Sequence, residues 1–145
     1  MTYKILAVCN ANKGRSAAFE AFMTHAIAKR NLKLHVESAG VNAERILELT
    51  KLGETKSFHV IEEMLCKMGV PEINYHRCKV IDASMVERAD LILAFNTKIR
   101  DRLRELYPKN EAKIVTVRKF VIEKDGDLPS EAFDVDDPYH QNDER

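Results

Sequence analysis

The sequence has no surplus of either charge. Its 145 residues carry 23 Lys and Arg against 23 Asp and Glu, and a chain without a basic excess lacks the electrostatic footprint of a nucleic-acid binder. Cysteine is scarce: the three, Cys9, Cys66 and Cys78, are too few and too widely spaced for a disulfide framework, and no pair has metal-ligand spacing. No segment approaches the roughly 18 apolar residues of a membrane span. The N-terminal MTYKILAVCN has an apolar run too short for a secretory leader with a small-residue cleavage site. Internal repeats and low-complexity tracts are missing as well. These absences lead to the expectation of a soluble, cytoplasmic chain in a reducing compartment, where an exposed cysteine stays a thiol. Residues 1–145 are expected to form a single domain, because a chain of this length buries roughly 70% of the surface it exposes when unfolded.

Hydrophobic periodicity supplies the elements. Residues 3–8 are short, β-rich and almost continuously apolar, the pattern of a buried strand. Residues 16–29 have helical spacing, with Ala18, Phe22 and Ala26 on one stripe and Phe19, Met23 and Ile27 beside it. Residues 34–37 read as a second strand, closed by Ser38-Ala39-Gly40. A helix follows over 58–68, with Phe58, Ile61, Leu65 and Met68 on its stripe and Gly69 and Pro71 as its stop. Ser84 and Glu87 have capping-box spacing. Residues 91–95, LILAF, are the clearest buried strand. Residues 97–107 are helical up to Pro108, 113–117 form a fourth strand, and EKDGDLPSEAFDVDD reads as loop. Strands alternating with helices predict an α/β fold: one three-layer domain with a four-stranded parallel sheet and helices on both faces. Ligands in such folds sit at the carboxyl ends of the strands, and Cys9 falls directly after the first one.

The segment VCNANKGRSAAFEAFM therefore carries the question of function. A loop between a strand and a helix N-terminus gathers backbone N–H groups into a concavity that the helix dipole makes positive. Gly14 lets the backbone adopt positive φ or approach a ligand closely, and Asn12 tolerates the left-handed region. Arg15 offers a fork for two phosphate oxygens. A thiol in such a field ionises readily, at pKa values of about 3.5–7.5, and Ser16 can donate a hydrogen bond to the thiolate. An isolated cysteine after a strand is commonly a packed structural thiol; the arginine six residues later, at a helix start, points instead to a nucleophile. The segment also comes near the nucleotide-binding pattern G-x-x-x-x-G-K-[ST]. Cys9 stands where that pattern has Gly, Arg15 where it has Lys, and LILAF ends in Asn96 rather than an acidic magnesium ligand.

A nucleophilic phosphoryl transfer also needs an acid for the leaving oxygen. Asp137-Pro138-Tyr139 is the candidate: Pro138 biases Asp137 toward extended backbone, and Tyr139 can wall a pocket and stack on an aromatic substrate. Asp134, Asp136, Asp143 and Glu144 surround it, so spacing alone favours a solvated acidic tail. His76 and Arg77 read as a structural turn, Cys66 as core, and Cys78 as a possible redox partner of Cys9. Arg100, Arg102 and Arg104 read as a solvated helix face.

Together these stretches resemble the low-molecular-weight protein tyrosine phosphatase family. VCNANKGRSA is similar to its Cys-x5-Arg-Ser loop, ESAGV to its Ser-Ala-Gly segment, and DVDDPYHQND to its late Asp-Pro loop. HRCKVIDASMVERADLILAF resembles its run from an Arg-containing turn into a buried strand. The resemblance implies that Cys9 is the nucleophile and forms a phosphocysteine. It implies that Asn10, Ala11, Asn12, Lys13, Gly14, Arg15 and Ser16 hold the phosphoryl group, with Ser16 stabilising the thiolate and Ser38 supporting Asn12. Asp137 would be acid and then base, and Tyr139 a substrate contact. No metal or cofactor is implied. The implied substrate is a phosphotyrosine-containing protein or a small aryl phosphate, with no nucleic acid or membrane as partner, and a monomer is expected. Phosphoarginine hydrolysis, thiol-dependent arsenate reduction and an inactive phosphate-binding pseudophosphatase are the alternatives. Arsenate reduction needs a resolving thiol, and the stretch AFNTKIRDR has no cysteine. The chain departs from the family at Gly14, where many members have a second cysteine, and at Ala17, where a proline is common. Lys13 in its variable position would favour acidic segments around the phosphoresidue. A C-terminal helix after the Asp-Pro loop is expected to be short or absent.

Overall fold

Leu6, Ala7 and Val8 are wholly buried in the first strand, and each large apolar side chain so placed contributes about 1.5–3 kcal/mol. The computed structural model of the chain describes residues 2–122. Strand β1 (Tyr3–Cys9) leads into helix α1 (Arg15–Arg30), then β2 (Leu34–Gly40), α2 (Ala43–Lys51) and α3 (His59–Lys67). A 3-10 turn (Pro71–Tyr75), α4 (Ala83–Arg88), β3 (Leu91–Ala94) and α5 (Thr97–Leu106) follow. A second 3-10 turn (Pro108–Lys113), β4 (Ile114–Thr116) and α6 (Val117–Ile122) complete the described residues.

Among those residues the sheet has four strands, all parallel, in the order β2-β1-β3-β4. Val8 lies opposite Ala39 on one side and Ala94 on the other. The chain moves one way from β1 to β2 and the other way from β2 to β3. Right-handed crossovers then put α1 on one face and α4 and α5 on the opposite face. The order of the strands reverses at β1, so a crevice opens beyond its carboxyl end. The main core joins β1, β3 and β4 to Met85 and Val86 of α4 and to Ile99 and Leu103 of α5. A second cluster packs Ala17 and Ala21 of α1 against Ile61 and Leu65 of α3 and Ile73 of the first 3-10 turn.

The α/β class, the parallel sheet and most elements are as the periodicity predicts, and several details differ. Strand β2 runs on through Ser38, Ala39 and Gly40, because Gly40 pairs with Cys9 and also bridges to Val80. Helix α1 buries Ser16, Ala17 and Ala21 rather than the stripe of Phe22, which is exposed; the small side chains let the helix approach its neighbours closely. Cys66 is exposed, not core. Ile61 and Leu65 define the buried side of α3, and a residue one position on from Leu65 is turned about 100° away from it. Helix α4 is capped by Asp82, whose Oδ1 accepts from Met85 N at 2.8 Å, and Ser84 lies inside the helix. Arg104 is not a solvated side chain, since its Nη2 donates to Ile114 O at 2.7 Å. Helices α2 and α6 were not expected. No helix among the described residues is long and apolar enough to cross a membrane.

Candidate active site

Cys9 ends β1 at the crevice, and the five residues after it turn back into α1. Helix α1 starts from Gly14 without a side-chain cap, so its first N–H groups have no side-chain acceptor from the capping position and face the loop. The turn depends on Asn12, which is wholly buried and left-handed at φ 60. Gly14 has φ −117, so the positive-φ residue of the loop is the asparagine and not the glycine. Asn tolerates that region because its short polar side chain bonds locally.

The bonds of Asn12 set the polarity of the whole loop. Lys79 N–H donates to Asn12 Oδ1 at 3.1 Å, which fixes the orientation of the amide. Both protons on Nδ2 are then used, one toward Ser16 Oγ and one toward Ser38 Oγ, each at 2.9 Å. Ser38 donates onward to Glu20 Oε1. Ser16 already accepts from Asn12, so its own proton is available for Cys9 Sγ, 2.8 Å away. Beneath the loop, His76 Nε2 donates to Asn12 O at 2.6 Å, since a carbonyl can only accept, and Nδ1 of the same ring lies 3.7 Å from Glu20 Oε1. Burial pushes the Glu20 carboxyl up. The hydrogen bond from Ser38, the His76 ring beside the carboxyl and the charge of Lys79 outweigh it, and Glu20 is held below the usual carboxylate value.

Arg15 stands at the start of α1 with its guanidinium carbon 6.0 Å from the centre of the Phe95 ring, which packs edge-on against Phe19. Lys13 is turned away from the loop centre. Its Nζ donates to Lys56 O at 2.8 Å and lies 5.3 Å from the centre of the Phe58 ring. Lys13 therefore braces a wall of the cleft. Cys78 is a free thiol whose Sγ donates to Asn12 O at 3.3 Å. Burial pushes that thiol up, and the nearby Cys9 adds to the effect against the opposing charge of Lys13.

Cys9, Asn10, Ala11, Lys13, Gly14 and Arg15 line one cleft of about 710 Å³. Asn12, Ser16 and Ser38 are fully buried behind it. Asp137, Pro138 and Tyr139 lie outside the described residues. Sequence reasoning missed Glu20 and did not connect His76 with the loop, because only the fold brings a residue 64 positions away under Asn12. It also missed Arg45, Ser57 and Phe58 as cleft residues. Among the described residues no group of three His, Cys, Asp or Glu side chains could hold a metal ion. The arrangement can cradle a tetrahedral oxyanion on backbone N–H groups and a guanidinium, with a thiol on the same wall.

The profile of the family described as low molecular weight phosphotyrosine protein phosphatase matches residues 4–145. A protein-arginine-phosphatase of Geobacillus stearothermophilus is 29% identical over 128 residues, which are 88% of this chain and 78% of that protein. A probable low molecular weight protein-tyrosine-phosphatase of Ralstonia solanacearum is 27% identical over 141 residues, 97% of this chain and 81% of that one. Among solved structures, a low molecular weight protein tyrosine phosphatase from T. tengcongensis superposes with a TM-score of 0.77 at 28% identity, covering 95% of this chain and 83% of its own.

Proposed function

Since the chain belongs to the low molecular weight phosphotyrosine protein phosphatase family, we propose that it hydrolyses phosphotyrosine by way of a phosphocysteine on Cys9. The Cys9 thiolate attacks phosphorus while the bond from phosphorus to the tyrosyl oxygen breaks, and Asp137 gives its proton to that oxygen. Water then attacks the phosphocysteine, Asp137 takes the water proton, and inorganic phosphate leaves as the thiolate is restored. The backbone from Asn10 to Ser16 and the Arg15 guanidinium bind the equatorial oxygens, where charge is held through both steps. Tyr139 contacts the aromatic ring of the substrate.

One observation carries this reading. Ser16 accepts from Asn12 at 2.9 Å and so presents its proton to Cys9 Sγ at 2.8 Å. A buried serine that merely filled space would not need that directed relay. The test is steady-state hydrolysis of para-nitrophenyl phosphate against pH. Cys9→Ser is expected to abolish turnover, and Asp137→Ala to lower kcat by about 10²–10⁴-fold and flatten the acidic side of the profile. A Cys9→Ser protein that still turns over would overturn the mechanism. Phosphoarginine is the second substrate to compare, because a protein-arginine-phosphatase is 29% identical to this chain. Turnover of a phosphoarginine peptide in preference to its phosphotyrosine counterpart would move the assignment there with the same nucleophile.

A further inference from the structure

The cleft continues past the phosphate loop, and both of its walls are pinned to that loop. On one side Val41 N–H donates to Cys9 O and Asn42 N–H to Asn10 O, both at 3.0 Å. Asn42 Oδ1 caps α2 by accepting from Arg45 N at 3.1 Å, so Arg45 is held in the first turn of a helix whose start is fixed to the loop. On the other side Phe58 N–H donates to Lys13 O at 3.0 Å, and Lys13 Nζ returns a bond to Lys56 O at 2.8 Å.

Ser57 sits between those two anchored residues and lines the cleft. It is only 4% exposed, and its hydroxyl has no hydrogen-bond partner among the described residues. Buried hydroxyls are nearly always paired, so this one lacks a group that the described residues do not supply there. The charge of the surroundings says what kind. Among the described residues, Lys13, Arg15, Arg45 and Lys56 line the cleft against one carboxylate, Glu54. Arg45 meets Glu48 at 3.4 Å and Lys56 meets Glu62 at 3.5 Å. Pairs of this kind, with an exposed cation, are weak and readily exchanged.

We infer that Arg45, Lys56 and the Ser57 hydroxyl form a second anion subsite beside the phosphate cradle, and that it takes the carboxylate of an acidic residue flanking the phosphorylated one. The preferred substrate is then an acidic phosphopeptide segment of a protein. This inference rests on the phosphatase reading above.

The test uses three phosphotyrosine peptides of equal length whose flanking residues are Glu, Gln or Lys. At low ionic strength the wild-type kcat/KM for the Glu peptide is expected to exceed that for the Gln peptide by about fivefold, the worth of two partly exposed charge contacts, with the Lys peptide lowest. In the double variant Arg45→Gln, Lys56→Gln the Glu-to-Gln ratio is expected to fall to about one, and Ser57→Ala is expected to lower it partway. Equal rates on the Glu and Gln peptides in the wild type, or a ratio that survives the double variant, would overturn the subsite. Hydrolysis of para-nitrophenyl phosphate reports separately on the phosphatase reading. If that substrate is not turned over, equilibrium binding of the same three peptides to the Cys9→Ser protein gives the same ratio, and the two failures stay distinct.

Discussion

Asn12 combines a left-handed backbone with a buried amide whose oxygen and both protons are used, so a replacement there acts through two channels that variants can separate. Asn12→Ala leaves the positive φ and loses the amide. It strands Lys79 N–H and removes the donor that orients Ser16, and the left-handed conformation adds about 1–2 kcal/mol of strain. Asn12→Gly loses the same bonds without that strain, at an entropic cost of about 0.5–1 kcal/mol. Both variants are expected to lose kcat, because in both the Ser16 hydroxyl is no longer aimed at Cys9. Urea denaturation is expected to rank Gly as the more stable of the two, each below wild type. A Gly variant with wild-type kcat would show that the turn matters and the amide does not. Cys9, Arg15 and Asn12 were legible in the sequence because one short local pattern holds all three. Glu20 and His76 were not, since their roles come from contacts with Ser38 and with Asn12, 18 and 64 positions away. No spacing rule encodes such contacts.

Gly40, the last residue of β2, shows how tightly the elements around the site are fitted. A Cβ built there would lie 2.5 Å from Ile46 Cδ1 of α2 and 2.7 Å from Asn10 O of the phosphate loop. The isoleucine end can shift, but the carbonyl belongs to a backbone already held by Asn42 N–H. Gly40→Ala is therefore expected to destabilise the fold by about 1–3 kcal/mol, the usual cost of overpacking, and to weaken phosphate binding because the loop must give way. Pairing it with Ile46→Val is expected to recover only part of the stability, as read by thermal melting; full recovery would show that the side chain and not the carbonyl is the obstacle. The elements that sequence reasoning recovered are those with a strong one-dimensional signature. Strands β1 and β3 are short apolar runs, and α1, α3 and α5 have long helical periods. Helix α2 was missed because the exposed Leu47 and Leu52 blur the stripe that Ile46 and Leu49 form on its buried side. The last residues of β2 read as a turn because Ser, Ala and Gly are weak strand formers, and pairing with Cys9 and Val80 overrides that preference.

At the scale of the molecule, the network behind the loop adds polar ties between elements that also pack together through apolar side chains. Glu20 comes from α1, Ser38 from β2 and His76 from the end of the first 3-10 turn, and Asn12 joins them to the sheet. Its ionic member makes the fold sensitive to acid in a defined direction. A carboxyl whose folded pKa lies below its unfolded value stabilises the native state at pH values above the unfolded one, near 4.5 for Glu20. That contribution disappears as pH falls through the folded value. Protonation also weakens the acceptor for Ser38, and the loss is then passed to Asn12 and Ser16. Stability by denaturant titration is thus expected to be flat with respect to this group above pH 5.5 and to fall steeply below 4.5. Glu20→Gln keeps the shape of the side chain and removes the charge. It is expected to be less stable than wild type at pH 7 by about 1–3 kcal/mol, the range for weakening a buried hydrogen-bonded charge, and to show a shallower decline between pH 5 and 3. Parallel curves for the two proteins would mean that the acid sensitivity resides in other carboxylates. An unchanged wild-type stability down to pH 3 would contradict the depressed Glu20 outright.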